Sequence, residues 1–224
     1  TDRALTGRPP LLQRTNGPRN FQMLGSSLGL DDYLARLTDE ISKIDRPSVE
    51  RWSGLIYQAW DKGQFVFVIG NGGAASTASH FAEDFGKSLL NSDELRDDSA
   101  KRLKVLSLTD NVGRITAIGN DLSFDEVFVQ QLKNLASEGD VLIALSGSGN
   151  SENILRAVEW ANQNGLTTFG MTGYDGGKLR ELQSDGIHID VDDMGMAQSL
   201  HLCLFHWVLD DVHARIHRCG RYAK

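Results

Sequence analysis

Short apolar runs recur along the chain at 65–69, 103–107, 140–145, 166–171 and 187–191. Each has the length of a strand, and 65–69 and 141–145 are apolar throughout, the pattern of strands buried on both faces. Elsewhere apolar residues recur at three- and four-residue spacing. Leu34, Leu37, Ile41 and Ile44 mark a helix from Asp31 to Ile44, and Pro47 opens a second that runs to Trp60. Further helical patterns cover 73–90, 111–119, 124–136, 152–163 and 194–217, while the charged stretch 91–102 reads as an exposed loop. Strands alternating with helices predict an α/β fold. A five-stranded parallel sheet lies between two helical layers, three layers in all, preceded by N-terminal helices.

No break in this alternation separates Phe65 from His217. The chain divides into an N-terminal extension (1–26), N-terminal helices (27–62), one domain (63–218) and a tail (219–224). The extension holds Pro9, Pro10 and Pro18, with Arg3, Arg8, Arg14 and Arg19 against one acid, Asp2. It lacks the continuous apolar stretch of a secretory signal and fits a flexible segment or an arm laid on a neighbouring subunit. The helices of 31–60 carry Trp52, Leu55 and Trp60, more apolar surface than the edge of a small sheet needs, which predicts a homo-oligomer.

Charge and cysteines narrow the class. Lys and Arg number 23 against 30 Asp and Glu, a formal charge of −7 that argues against nonspecific nucleic-acid binding. No apolar run approaches the roughly 18 residues of a membrane span. Cys203 and Cys219 form neither a CxxC pair nor a zinc-ligand spacing, as expected of a reduced, cytoplasmic protein. A small phosphate ester stays compatible with the acidic charge, because backbone N–H groups and hydroxyls hold it with little help from lysine.

Two loops supply that chemistry. Ser146-Gly147-Ser148-Gly149-Asn150-Ser151 follows the run Val141 to Leu145 and leads into the helix beginning at Glu152. Small residues admit a ligand close to the backbone, three hydroxyls offer donors, and the helix start adds free N–H groups at its positive end. Gly70-Asn71-Gly72-Gly73-Ala74-Ala75-Ser76-Thr77 repeats the design after Phe65 to Ile69. Two rival phosphate motifs fail. Gly70 to Ala75 fits GxGxxA, but a dinucleotide fold wants an acid about 20 residues on. Here the acid closing the second strand is Asp110, 38 residues after Gly72, so no nucleotide is expected. Gly86-Lys87-Ser88 ends like a P-loop, yet Phe81 stands where that motif needs glycine.

Five segments in order then carry a family resemblance. Gly70-Asn71-Gly72-Gly73, His80-Phe81-Ala82-Glu83-Asp84, Ala117-Ile118-Gly119-Asn120-Asp121, the serine loop, and Gln198 with His206 resemble a sugar isomerase (SIS) domain. More narrowly, they are similar to the phosphoheptose isomerases, over about Asp31 to Ile216. The resemblance implies a five-stranded parallel sheet flanked by helices and a tetramer. It implies substrate contacts at Asn71, Gly72, Gly73, Asp84, Asn120, Asp121, Ser146, Gly147, Ser148, Ser151 and Gln198. It further implies zinc held by His80, Asp84, Gln198 and His206, with Asp84 and His206 catalytic. His80 and Asp84, four apart, share a helix face; Gln198 and His206 are eight apart, a little over two turns. Taken singly, His80 also reads as a solvent-facing helix residue and His206 as a core histidine, Gln198 as a helix-start residue, and Asn120-Asp121 as a turn. His188, His201, His213 and His217 match nothing in the family's site and read as structural.

The chain departs from the family at three positions. Asp84 replaces a glutamate and is one methylene shorter, Ala74 replaces the serine of the GNGGS loop, and Ser199 replaces a glutamate. The implied reaction interconverts sedoheptulose 7-phosphate and a heptose 7-phosphate through an enediol. It needs a carboxylate at the acidic C–H, an acid or metal at the carbonyl oxygen, and a clamp on the distant phosphate. The alternative is a non-catalytic phosphosugar-binding module of the kind that associates with replication initiators. Keeping His80, Asp84, Gln198 and His206 together favours catalysis, because a binder needs neither histidine.

Overall fold

Five parallel strands, β1 (Phe65–Gly70), β2 (Lys104–Ser107), β3 (Val141–Ser146), β4 (Thr167–Thr172) and β5 (Asp185–His188), form one sheet in the order β2-β1-β3-β4-β5. This computed structural model describes residues 27–223, so the expectations for 1–26 lie outside the described residues. The helices are α1 (Leu30–Ser42), α2 (Arg46–Lys62), α3 (Gly73–Lys87), α4 (Val112–Asp121), α5 (Val129–Leu135), α6 (Glu152–Gln163), α7 (Leu179–Leu182) and α8 (Met194–His217). Successive strand residues point to opposite faces. Val66, Val68, Ile143, Leu145, Phe169 and Met171 pack with α2, α3 and α8; Phe67, Ile69, Leu142 and Ala144 pack with α5, α6 and α7. These are the three layers that the hydrophobic pattern predicts.

The differences from the pattern lie at element ends. The helix expected over 73–90 stops at Lys87, where the N–H of Leu90 turns back to the Lys87 carbonyl. The pattern over 124–136 divides into a 3₁₀ turn (Phe124–Glu126) and α5, with buried Val127 and Phe128 at the join. A 3₁₀ turn also closes inside the loop 91–102, at Glu94–Arg96. The last strand forms at Asp185–His188 rather than 187–191, because its partner β4 ends at Thr172, opposite His188. Ile189 and Val191 are still buried, beyond the ladder. α7, a single turn, has too few residues to show a helical period.

Trp52 is fully buried, stacked between Phe81 and Phe169 at 5.9 and 5.6 Å. It therefore serves the subunit's own core and offers nothing to a neighbour, correcting one ground for an oligomer. The apolar residues that stay exposed on the N-terminal helices are Leu30, Leu34 and Ile41 of α1.

His201 of α8 is 4 % exposed, with Nε2 lying 3.2 Å from the Thr172 carbonyl. Burial pushes its pKa down from 6.5 to about 4, outweighing the hydrogen bond to Thr172, which favours the charged form. The neutral ring's contribution to stability is complete above the unfolded pKa of about 6.5 and is lost as pH falls toward 4. Urea unfolding should show a loss of about 2–3 kcal/mol between pH 7.5 and 4.5. His201→Gln should flatten that profile; equal slopes in both proteins would contradict the assignment.

Candidate active site

The chain order reverses between β1 and β3. After β1 the chain enters α3 on one face of the sheet; after β3 it enters α6 on the other. Ligands of open α/β sheets bind in the crevice that such a reversal opens at the carboxyl ends of the strands. Gly70 lies in register with Leu145, so the loops beginning at Asn71 and Ser146 leave neighbouring strands side by side.

Gly72 sits at φ 56°, ψ −121°, a conformation open to glycine, and α3 starts at the next residue. Asn71 and Asn153 exchange two amide hydrogen bonds, Nδ2 to Oδ1 at 2.8 Å and 3.0 Å in the two directions. On the other loop, Ser146 is buried, and Ser148 and Ser151 are half-buried. Ser151 is the N-cap residue of α6, yet its hydroxyl makes no capping bond. The first N–H groups of α6 have no partner within the helix, and its positive end meets that of α3 at the crevice.

The loop after β4 holds the serine loop from behind. Gly149 is at φ 63°, and a Cβ there would fall on the Gly176 carbonyl, so no other residue fits. The N–H groups of Lys178 and Leu179 donate to Asn150 Oδ1 (3.1 Å) and to the Gly149 carbonyl (2.9 Å).

The first turn of α8 lies across both loops, at three glycines. A Cβ on Gly73 would stand 2.9 Å from Gln198 Oε1, one on Gly173 would stand 2.9 Å from the Ala197 Cβ, and one on Gly147 would overlap Met194. Asp193 caps this turn through the Met196 N–H (3.2 Å) and receives Arg36 of α1 at 3.0 Å.

Two turns further along, α3 and α8 bring His80, Asp84 and His206 together. Asp84 Oδ2 lies 3.1 Å from His80 Nε2 and 3.9 Å from His206 Nε2. The imidazole rings meet at 5.3 Å and 65°. Each residue offers one donor atom within 4.8 Å of the others, the only such group of His, Cys, Asp and Glu among the described residues. The side chains of His80 and His206 are 42 % and 47 % exposed and that of Asp84 18 %, so the carboxylate is recessed between two open rings. Glu83, as its helix position predicts, turns away to Lys87 at 2.9 Å. That ammonium, with a hydrogen bond to Asp84, holds the Glu83 carboxyl below its ordinary range.

Gln198 stands apart from this trio, against Gly73, roughly 10 Å of helix before His80. Asn120 and Asp121 are exposed at the end of α4, where the Asn120 amide donates to its neighbour's carboxylate at 2.8 Å. Of the remaining histidines, His188 Nδ1 meets Thr172 Oγ1 at 3.0 Å, with burial lowering its pKa, and His217 Nε2 meets the Leu89 carbonyl at 2.9 Å. The His213 and His217 rings meet at 4.2 Å, tilted by 44°. Sequence reasoning missed Asn153, although an asparagine flanked by the buried Ile154 and Leu155 at a helix start is a signal for a satisfied buried amide.

Residues 31–173 match the SIS domain family. The phosphoheptose isomerase of Geotalea uraniireducens (strain Rf4) is 33 % identical over 171 residues, 76 % of this chain and 86 % of that protein. That of Helicobacter pylori (strain Shi470) is 38 % identical over 146 residues, covering 65 % and 72 %. The solved structure of the phosphoheptose isomerase GmhA from Neisseria gonorrhoeae is similar at a TM-score of 0.73 and 28 % identity, covering 83 % of this chain and 100 % of that one. Fold and relatives together define a phosphosugar isomerase. The chain belongs to the SIS-domain family, in its phosphoheptose isomerase branch.

Proposed function

We propose that this enzyme interconverts sedoheptulose 7-phosphate and D-glycero-manno-heptose 7-phosphate by proton transfer between C1 and C2. The observation carrying this reading is the convergence of His80, Asp84 and His206 beside two small-residue loops at the reversal of the sheet. Ser146, Ser148 and Ser151, with the N–H groups of α6, clamp the phosphate. Asn71, Gly72, Gly73, Gly147 and Gln198 line the sugar, and Asn120 and Asp121 join them as the resemblance implies. Asp84 takes the proton from one carbon and returns it to the other, and His206 either donates to the carbonyl oxygen as the acid or, where zinc is held, serves as a ligand of the metal that polarises it, as an enediol mechanism requires. His80 and Asp84 lie two turns or more along α3 from the loop at its start, so a ligand gripped at its phosphate reaches Asp84 with a carbon chain that extends along that helix. Phosphate binding energy then holds the reacting carbons in place.

Two imidazoles and a carboxylate within 4.8 Å make a donor set suited to zinc. His80, Asp84 and His206 would hold it, with the Gln198 amide as a fourth ligand only if that side chain turns from Gly73. When bound, zinc supplies Lewis-acid polarisation at the sugar carbonyl. A homo-oligomer accompanies this reading. Leu30, Leu34 and Ile41 on α1 and Val112, Leu122 and Phe124 beyond the β2 edge remain exposed on the subunit, and sedimentation should find a species heavier than one chain. The described helices include none long and apolar enough to cross a membrane.

The test is deuterium entry from solvent at C1 of sedoheptulose 7-phosphate and at C2 of the aldose formed from it. Wild type should exchange. Asp84→Asn should lose about a hundredfold or more while still binding the sugar phosphate, and Asp84→Glu should keep or raise the rate. Ser148→Ala should weaken binding about five- to thirtyfold by calorimetry without changing the fold. Full exchange by Asp84→Asn would place the base elsewhere. A wild type inert on heptose, hexose and pentose phosphates, with or without zinc, would overturn the proposal.

A further inference from the structure

We infer that Asn153 is a positioning residue that acts through Asn71, locking the substrate segment after β1 to the phosphate loop after β3. The inference rests on the isomerase reading above, and its basis is the reciprocal amide pair at the base of the crevice. α3 and α6 depart to opposite faces of the sheet, so neither loop's own helix packs on the other, and α8 covers both loops from outside without bonding one to the other. The amides of Asn71 and Asn153 cross that gap with bonds of 2.8 and 3.0 Å.

A reciprocal pair has one solution. Each Nδ2 faces the other's Oδ1, so neither amide can flip without setting two N–H groups and two carbonyls against each other. Asn153 is 2 % exposed, deep in the first turn of α6, so it has no route to a ligand except through its partner. Asn71 is half-buried, keeps a second N–H, and stands immediately after β1, in front of Gly72 and Gly73. Fixing its amide therefore fixes which group the crevice presents to a sugar hydroxyl. It also fixes the spacing between that group and the serine loop, which begins one register step away at Ser146.

A double-mutant cycle on Asn71→Ala, Asn153→Ala and the double variant tests this. It is read both as kcat/KM for isomerisation and as calorimetric affinity for a sugar phosphate, with inorganic phosphate affinity measured beside them. Asn153→Ala should lower kcat/KM and sugar-phosphate affinity about tenfold in wild type. In the Asn71→Ala background it should change neither more than about twofold, and affinity for inorganic phosphate should hardly change in either. If Asn153→Ala does not fold, Asn153→Asp keeps the volume and one of the two bonds and takes its place in the cycle. Losses that multiply across the cycle, or a matching loss of inorganic phosphate affinity, would overturn the inference, because Asn153 would then act on its own. A wild type that binds sugar phosphates but turns none over fails the isomerase reading alone, and the affinity cycle still decides this one.

Discussion

Phe81 and Phe85 of α3 stack at 4.3 Å, and Phe205 of α8 meets them at 5.1 and 5.5 Å. All three are at most 1 % exposed. Truncating a buried phenylalanine to alanine costs about 3–5 kcal/mol, so this contact sets how α3 and α8 lie against each other. His80 precedes Phe81, Asp84 precedes Phe85 and His206 follows Phe205. Adjacent helix residues point about 100° apart, so burying the three rings turns the three polar groups out along the seam between the helices. The core thus aims the chemistry: the packing that stabilises the layer also fixes the angle at which two imidazoles and a carboxylate meet.

At the other end of the seam the constraint is close approach. Gly73, Gly147 and Gly173 each give way to a side chain from the first turn of α8. A Cβ at any of them would press on that turn, and with it on Gln198 and the direction of the helix leading to His206. Arg36 and Asp193 hold the same turn from outside. The close approach of α8 and the small-residue loops proposed to take phosphate therefore ask for glycine at the same places.

Most of this architecture was legible in the chain. Four of the five apolar runs became strands within one residue at each end, because central strands buried on both faces, such as β1 and β3, cannot hide their composition. β5 slipped because its length is set by where β4 stops, a tertiary fact that Ile189 and Val191 do not reveal. Trp52 misled for a similar reason: an aromatic on an amphipathic helix shows burial but not whether core or neighbour covers it. Among the candidate site residues, His80 and Asp84 were visible as an i,i+4 pair, whereas their meeting with His206 depends on the phenylalanine contact between helices over a hundred residues apart. The pairing of Asn71 with Asn153 had no sequence signature, since it joins two loops across opposite faces of the sheet.

The central claim is that the serine loop and the α3–α8 seam serve one substrate, and a crystal structure with sedoheptulose 7-phosphate bound to Asp84→Asn tests it most directly. The account predicts the phosphate on Ser146, Ser148 and Ser151 at the start of α6, with C1 and C2 beside residue 84 and His206. A phosphate seated on the serine loop with its carbon chain leading away from the seam, or a sugar held at the seam with the serine loop empty, would contradict it.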